Sequence, residues 1–183
     1  MIDVAPIWMP DVQQQNYRAL LEVMSRPGRI EDILRGDSDT AYLAVLATLL
    51  DGEVSLSDPN GLLKESHWPL LQAKHALTDE ADYILCQGDQ PPSLQPRLGT
   101  LPCPEKSATL VIAVGSLTTG RLHIQLTGPG VNGIADVPIS GLHPDWIVQR
   151  EDWVCAFPLG VDMILVDDTA AMALPRTTKV EVL

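Results

Sequence analysis

The sequence predicts an α/β fold, a mixed sheet sandwiched by helices. Three observations carry this. Segments with helical periodicity alternate with short apolar segments along the whole chain. Some of those apolar segments are separated by turn residues alone, which places hairpins among the crossovers and argues against an all-parallel sheet. Hydrophobic residues make up 45% of the chain but aromatics only 4%, with Phe157 the single phenylalanine, so the core rests on Leu, Val, Ile and Ala. At 183 residues the expectation is one domain, 1–183; a chain of this size removes roughly 70% of its unfolded-state surface from water.

The elements follow in order. Asp11 is the expected N-cap of a first helix, with Tyr17, Leu20, Leu21 and Met24 on one face at i, i+3, i+4 and i+7 and Pro27-Gly28 as the stop. The stretch 40–51, TAYLAVLATLLD, is a second helix, apolar on nearly every side and therefore deeply buried. EVSLS (53–57) alternates like a half-buried strand and leaves through the turn Asp58-Pro59-Asn60-Gly61. LLKESHWPLLQ reads as a helix interrupted at Pro69, and DYILCQ (82–87) as a buried strand.

Five prolines between Pro91 and Pro104 break regular structure and predict a stiffened surface crossover. ATLVIAV (108–114) and RLHIQLTG (121–128), joined by GSLTTG, are expected to pair as a β-hairpin. PDWIVQREDWVC (144–155) is a helix with proline at its start. The closing segment, FPLGVDMILVDDTAAMALPRTTKVEV (157–182), reads as two apolar strands about Asp167-Asp168, then a polar burst and a terminal strand.

Composition excludes several functions. A formal charge of −12, with no Lys/Arg stripe interleaved with aromatics, argues against nucleic acid and against an anionic membrane surface as partners. A small anion remains compatible with a local arginine pocket, because distant charge is screened within about 8 Å at physiological salt. Cys86, Cys103 and Cys155 are scattered, as reduced thiols of a cytoplasmic protein are. MIDVAPIWMPDVQQQ has no basic or apolar signal region, and no apolar run approaches the ~20 residues of a membrane span. The expected location is the cytoplasm.

No P-loop, nucleophile elbow, zinc-protease or dinucleotide motif occurs. His67, His75, His123 and His143 are too dispersed to predict a metal centre, and Lys64, Lys74, Lys106 and Lys179 lack the apolar context of a Schiff-base lysine. No metal or cofactor site is therefore expected. LTGPGVNG (126–133) has glycine N–H groups that would suit an anion nest, but a tight turn explains it without a ligand. Arg26 and Arg29 suit the negative end of the first helix, or a partner-facing loop.

The polar burst is the candidate site. Arg176, Thr177 and Thr178 can hold phosphate or phosphonate oxygens, the arginine by its planar fork and the threonines by hydroxyls. The competing explanation is a terminal edge strand, with Thr177, Lys179 and Glu181 facing one way and Thr178, Val180 and Val182 the other. Asp162 opens an apolar strand, where an unpartnered buried carboxylate would be costly. With Asp167-Asp168 as a two-residue turn, Val166 opposes Thr169 and Asp162 opposes Ala173. The pleat then sends Asp162 and Arg176 to opposite faces, although Pro175 interrupts the ladder between them.

FPLGVDMIL and LPRTTKVEV at the C-terminal end, YRALLEVMSRPGRI (17–30) near the start and LTGPGV between them together resemble the PhnH family, the H subunit of the bacterial carbon–phosphorus lyase core complex. They occur in family order and span nearly the whole chain. Lys179 departs from the family pattern, which has His after Arg-Thr-Thr. The resemblance implies a fold similar to pyridoxal-phosphate-dependent transferases without that cofactor, a homodimer, and assembly with the G, I and J subunits. It also implies a share, with G, I and L, in making a ribose 1-methylphosphonate 5-triphosphate from ATP and methylphosphonate with release of adenine. ATP is then a substrate of the complex rather than a cofactor of this subunit. Two roles remain open: a contributor of ligand contacts through Arg176, Thr177, Thr178 and Asp162, or a non-catalytic dimeric scaffold.

Overall fold

In a computed structural model, which describes residues 6–183, Pro10 begins the first helix, α1 (Pro10–Ser25), where its missing N–H costs nothing. Residues 1–5, part of the stretch read as lacking a secretory signal, lie outside the described residues. The residue at the N-cap is Met9 rather than Asp11, which lies in the first turn and complements the helix dipole there. The inward face also differs from expectation. Asn16, Leu20 and Val23 are buried, whereas Tyr17 and Leu21 are half exposed. Asn16 shifts the face because its amide exchanges two hydrogen bonds with the Leu34 backbone, at 2.9 and 2.7 Å.

The strand β1 (Glu31–Asp32) leads to α2 (Ala41–Leu49), which is buried as its all-round apolar sequence requires. Thr40 caps it, its Oγ1 accepting the Leu43 N–H. After β2 (Ser55–Ser57), the carboxylate of Asp58 accepts the N–H groups of Leu62 and Leu63 and closes the predicted turn. The short α3 (Trp68–Leu71) contains Pro69 in its first turn, so the proline starts this helix rather than interrupting it.

Next come β3 (Lys74–His75) and β4 (Tyr83–Gln87). The proline-rich stretch is not wholly irregular: it contains an antiparallel pair, β5 (Leu98–Thr100) and β6 (Cys103–Ser107). Then follow β7 (Thr109–Ala113), β8 (Leu122–Thr127), β9 (Ala135–Ile139), α4 (Asp145–Val154), β10 (Asp162–Val166), β11 (Ala170–Leu174) and β12 (Lys179–Val182).

Seven strands form a mixed sheet in the order β1-β11-β10-β7-β4-β2-β3. From β10 to β3 the strands run parallel, while β11 is antiparallel to both β10 and β1. The expected hairpin of 108–114 with 121–128 does not form. Instead β7 lies between β4 and β10, and β8 is the middle strand of a separate three-stranded sheet, β12-β8-β9. The physical reason is visible in the composition of β7: Leu110, Val111 and Ile112 are apolar on successive positions, so the strand needs cover on both faces, as a central parallel strand has.

The two faces of the large sheet are covered differently. Leu85, Val111, Ile164, Ala171 and Ala173 pack toward α1 and α2, and the alanines let α1 approach β11 closely. Ile84, Ile112, Met163, Leu165 and Met172 pack toward the small sheet and α4. The sheet is therefore sandwiched by helices on one face and by strands plus one helix on the other, a refinement of the expected all-helical cover. Four α-helices occur among the described residues, and none is long and apolar enough to cross a membrane.

The register of the β10–β11 hairpin also shifts. Val166 pairs with Ala171 and Ile164 with Ala173, so Asp162 does not oppose Ala173. The Asp167 carboxylate accepts the N–H groups of Thr169 and Ala170, which draws Asp167 into the ladder and moves the turn one residue on.

Cysteine reactivity follows from these positions. Cys86 lies in the core of β4, and burial, helped by the charge of Asp58, pushes its thiol up to about 12. Cys155 is exposed. At pH 8, Ellman's reagent is expected to label Cys155 in the native chain and Cys86 only after denaturation; native labelling of Cys86 within minutes would contradict this placement.

Candidate functional site

The chain leaves β11 at Leu174 and turns sharply, with the Thr178 N–H donating to the Pro175 carbonyl at 2.9 Å, before β12 begins. That turn cancels the pleat argument. Arg176 comes back over the mouth of β10, and the pair with Asp162 that strand register forbade does form. The Arg176 backbone N–H donates to Asp162 Oδ1 at 2.7 Å, Nη2 to Oδ2 at 2.6 Å and Nε to Oδ1 at 3.3 Å. The same guanidinium donates to the carbonyls of Pro104 and Pro158, at 3.2 and 3.1 Å, and to the Ser107 hydroxyl at 2.6 Å.

These contacts occupy all five N–H groups of the guanidinium. Arg176 thus ties β6, the loop before β10 and β10 itself to the start of the C-terminal turn. It positions the site and has no free donor to offer a ligand.

The other predicted residues fall beside it. Thr177 and Thr178 line, with Arg176, a cavity of about 570 Å³ between α4 and β12, and Lys179, Val154, Phe157 and Val180, which were not expected there, line it too. Thr177 and Lys179 are exposed, while Thr178 is buried and its Oγ1 has no partner. β12 is an edge strand, paired with β8 alone, but it begins at Lys179, so the edge-strand expectation holds for 179–182 and the site residues Arg176, Thr177 and Thr178 lie in the turn before it.

One residue was missed. Arg150 projects from α4 into the same cavity and is only 2% exposed. Its Nη2 donates to the carbonyls of Pro175 and Thr178, at 2.6 and 3.0 Å. Burial pulls the guanidinium down to about 10, with the charges of Asp162 and Glu151 opposing the shift. The sequence contained a signal for it. In DWIVQREDWV, Trp146, Arg150 and Trp153 share the i, i+4, i+7 face, so a lone arginine stands on the buried stripe.

The remaining candidates have structural partners. Arg26 and Arg29 pair with Glu22, and Arg29 also with Glu31, at the surface. LTGPGVNG is a turn whose Val131 N–H donates to the Gly128 carbonyl. His75 stacks on Trp68 with centroids 3.5 Å apart, and His123 lies 3.3 Å from Asp136. No group of three or more His, Cys, Asp or Glu suited to a metal ion gathers among the described residues.

Fold and site together define a mixed α/β protein with a cavity framed by two arginines, one clamped to a carboxylate and one buried without one. The chain belongs to the PhnH family: the model of the bacterial phosphonate metabolism protein PhnH matches residues 7–181. It is 38% identical over 174 residues to HtxG of Stutzerimonas stutzeri, a protein named provisionally as a C–P lyase subunit, covering 95% of this chain and 88% of that one. It is 33% identical over 186 residues to the PhnH subunit of alpha-D-ribose 1-methylphosphonate 5-triphosphate synthase of Rhizobium meliloti (strain 1021), covering 92% of this chain and 90% of that one.

Proposed function

We propose that this chain is the H subunit of a carbon–phosphorus lyase core complex and supports formation of alpha-D-ribose 1-methylphosphonate 5-triphosphate from ATP and methylphosphonate, with release of adenine. The observation that carries this is the family match across 7–181, with both relatives covered along nearly their whole length. In this reading the chain forms a homodimer in the cytoplasm and assembles with the G, I and J subunits, and Thr177, Thr178 and Lys179 supply contacts from the cavity that Arg176 and Asp162 hold open.

The fold is read as the pyridoxal-phosphate transferase type working without that cofactor. In support of the fold, the large sheet is mixed, mostly parallel, and covered on both faces. The fully occupied Arg176 guanidinium favours a second reading, in which the subunit is a non-catalytic dimeric scaffold that organises the complex.

The test is growth on methylphosphonate as sole phosphorus source by a strain that lacks its own H subunit but keeps the other subunits. Supplying this chain with its cognate partners is expected to restore growth, and the tagged chain is expected to co-purify with them. A soluble, folded chain that restores no growth and retains no partner would overturn the proposal. Restored growth by variants with the cavity filled would select the scaffold reading.

A further inference from the structure

Two buried donors without partners belong to residues that line one cavity. Among the described residues five buried side-chain polar atoms lack a partner, and two of them, Arg150 Nε and Thr178 Oγ1, belong to residues that line the cavity between α4 and β12. The other three, on Asp39, Arg97 and Trp153, belong to residues that do not line it. Arg150 is more than nine-tenths buried and takes part in no ion pair among the described residues. Its Nη2 bonds to the Pro175 and Thr178 carbonyls fix the plane of the guanidinium and hold it against the residue that carries the second orphan.

A buried guanidinium N–H and a buried hydroxyl without partners are both unfavourable, and such exceptions in folded proteins call for an explanation. Both can donate, one carries a positive charge, and Lys179 lines the same space. Simple packing does not account for the set, because an apolar residue at 178 would fill the same volume without the orphan. Glu151 and Glu181 also line the cavity, which disfavours loosely attracted anions and leaves binding to direct contacts.

We propose that Arg150 and Thr178 form a binding site for a tetrahedral oxyanion, the phosphonate or phosphate group of a small molecule, with Lys179 as an outer contact. The choice of a phosphorus oxyanion rests on the functional reading above; the presence of an oxyanion site does not. The cavity, about 570 Å³, is larger than one such group and within the usual range for small-molecule sites, so the group belongs to a larger ligand. Arg176 contributes only position, through the turn whose carbonyls hold Arg150.

The test is a titration of the full chain with methylphosphonate and, separately, with inorganic phosphate, followed by ³¹P line broadening. Saturable binding is expected, with a dissociation constant on the order of 1 mM for these bare groups. Thr178→Val keeps the shape and removes a hydroxyl that has no partner in the free chain. Its melting temperature is expected to be unchanged or higher, while affinity falls about tenfold or more. Arg150→Met is expected to abolish binding; should it fail to fold, Thr178→Val alone decides.

Absence of saturable binding to 20 mM probe, or wild-type affinity in Thr178→Val, overturns the site. Displacement of methylphosphonate by acetate at equal concentration overturns the tetrahedral assignment in favour of a carboxylate from a partner protein. The tighter of the two probes names the source. A chain that restores growth on methylphosphonate but binds neither probe overturns this inference alone and leaves the subunit assignment standing.

Discussion

Arg176→Ala is expected to lower the unfolding free energy by about 3 kcal/mol, the lower end of the range for removing one partner of a buried ion pair, because this pair is partly exposed. The Arg176 and Asp162 side chains are only 16% and 18% exposed, so the carboxylate left behind has little water to replace its partner. It would keep just the backbone N–H of residue 176. The same substitution releases the Pro104 carbonyl and Ser107 hydroxyl of β6 and the Pro158 carbonyl of the loop before β10. Urea denaturation measures the loss.

A double variant, Asp162→Leu with Arg176→Met, is expected to lose less than the sum of the two single variants, because no buried charge is then left unpaired. Strict additivity, or a loss below about 1 kcal/mol for Arg176→Ala, would contradict the clamp. The consequence for functional work is direct. Lost turnover in Arg176→Ala reports on the wall of the cavity as much as on its chemistry, whereas Thr178→Val isolates the chemistry.

Gly130→Ala is expected to cost about 2–5 kcal/mol, combining about 1–2 for a left-handed alanine with about 1–3 for the neighbours it displaces. Gly130 has φ +82°, and a Cβ there would sit 2.2 Å from the Ser25 carbonyl oxygen and 3.0 Å from Pro27 Cδ. From the other side, a Cβ on Gly28 would meet Ala135 Cβ at 2.8 Å. The Pro27-Gly28 stop of α1 and the turn after β8 therefore lock against each other, which explains why two distant sequence motifs both need glycine. Gly133→Ala is the control: φ is +75° but nothing lies within 4 Å of its Cβ, so only the conformational cost is expected. Equal losses at the two positions, by thermal denaturation, would contradict the interlock.

Much of this was legible in the residues. The burial of α2, and the strands β4, β10 and β11, follow from apolar runs that must be covered wherever they lie. The motifs that mark the family are local words in the sequence, and family membership followed from them. The candidate site was half legible: of the expected Arg176, Thr177, Thr178 and Asp162, the first three line the cavity, Arg176 with its donors spent on Asp162 and neighbouring groups, while Lys179 and Arg150, which also line it, were not singled out. The expected hairpin of β7 with β8 failed because adjacency in sequence predicts pairing only where one face can stay wet, and β7 is covered on both.

By itself the sequence determined the longer helices and the apolar central strands, the burial of those that are apolar on every side, and the family, since periodicity and turn chemistry act over a few residues. Tertiary structure alone decided the two facts on which function turns. Pro175 redirects the chain so that Arg176 reaches Asp162, and the docking of α4 on β12 buries Arg150 beside Thr178. Both depend on groups 14 and 28 residues apart meeting across a change of chain direction, which no local pattern encodes.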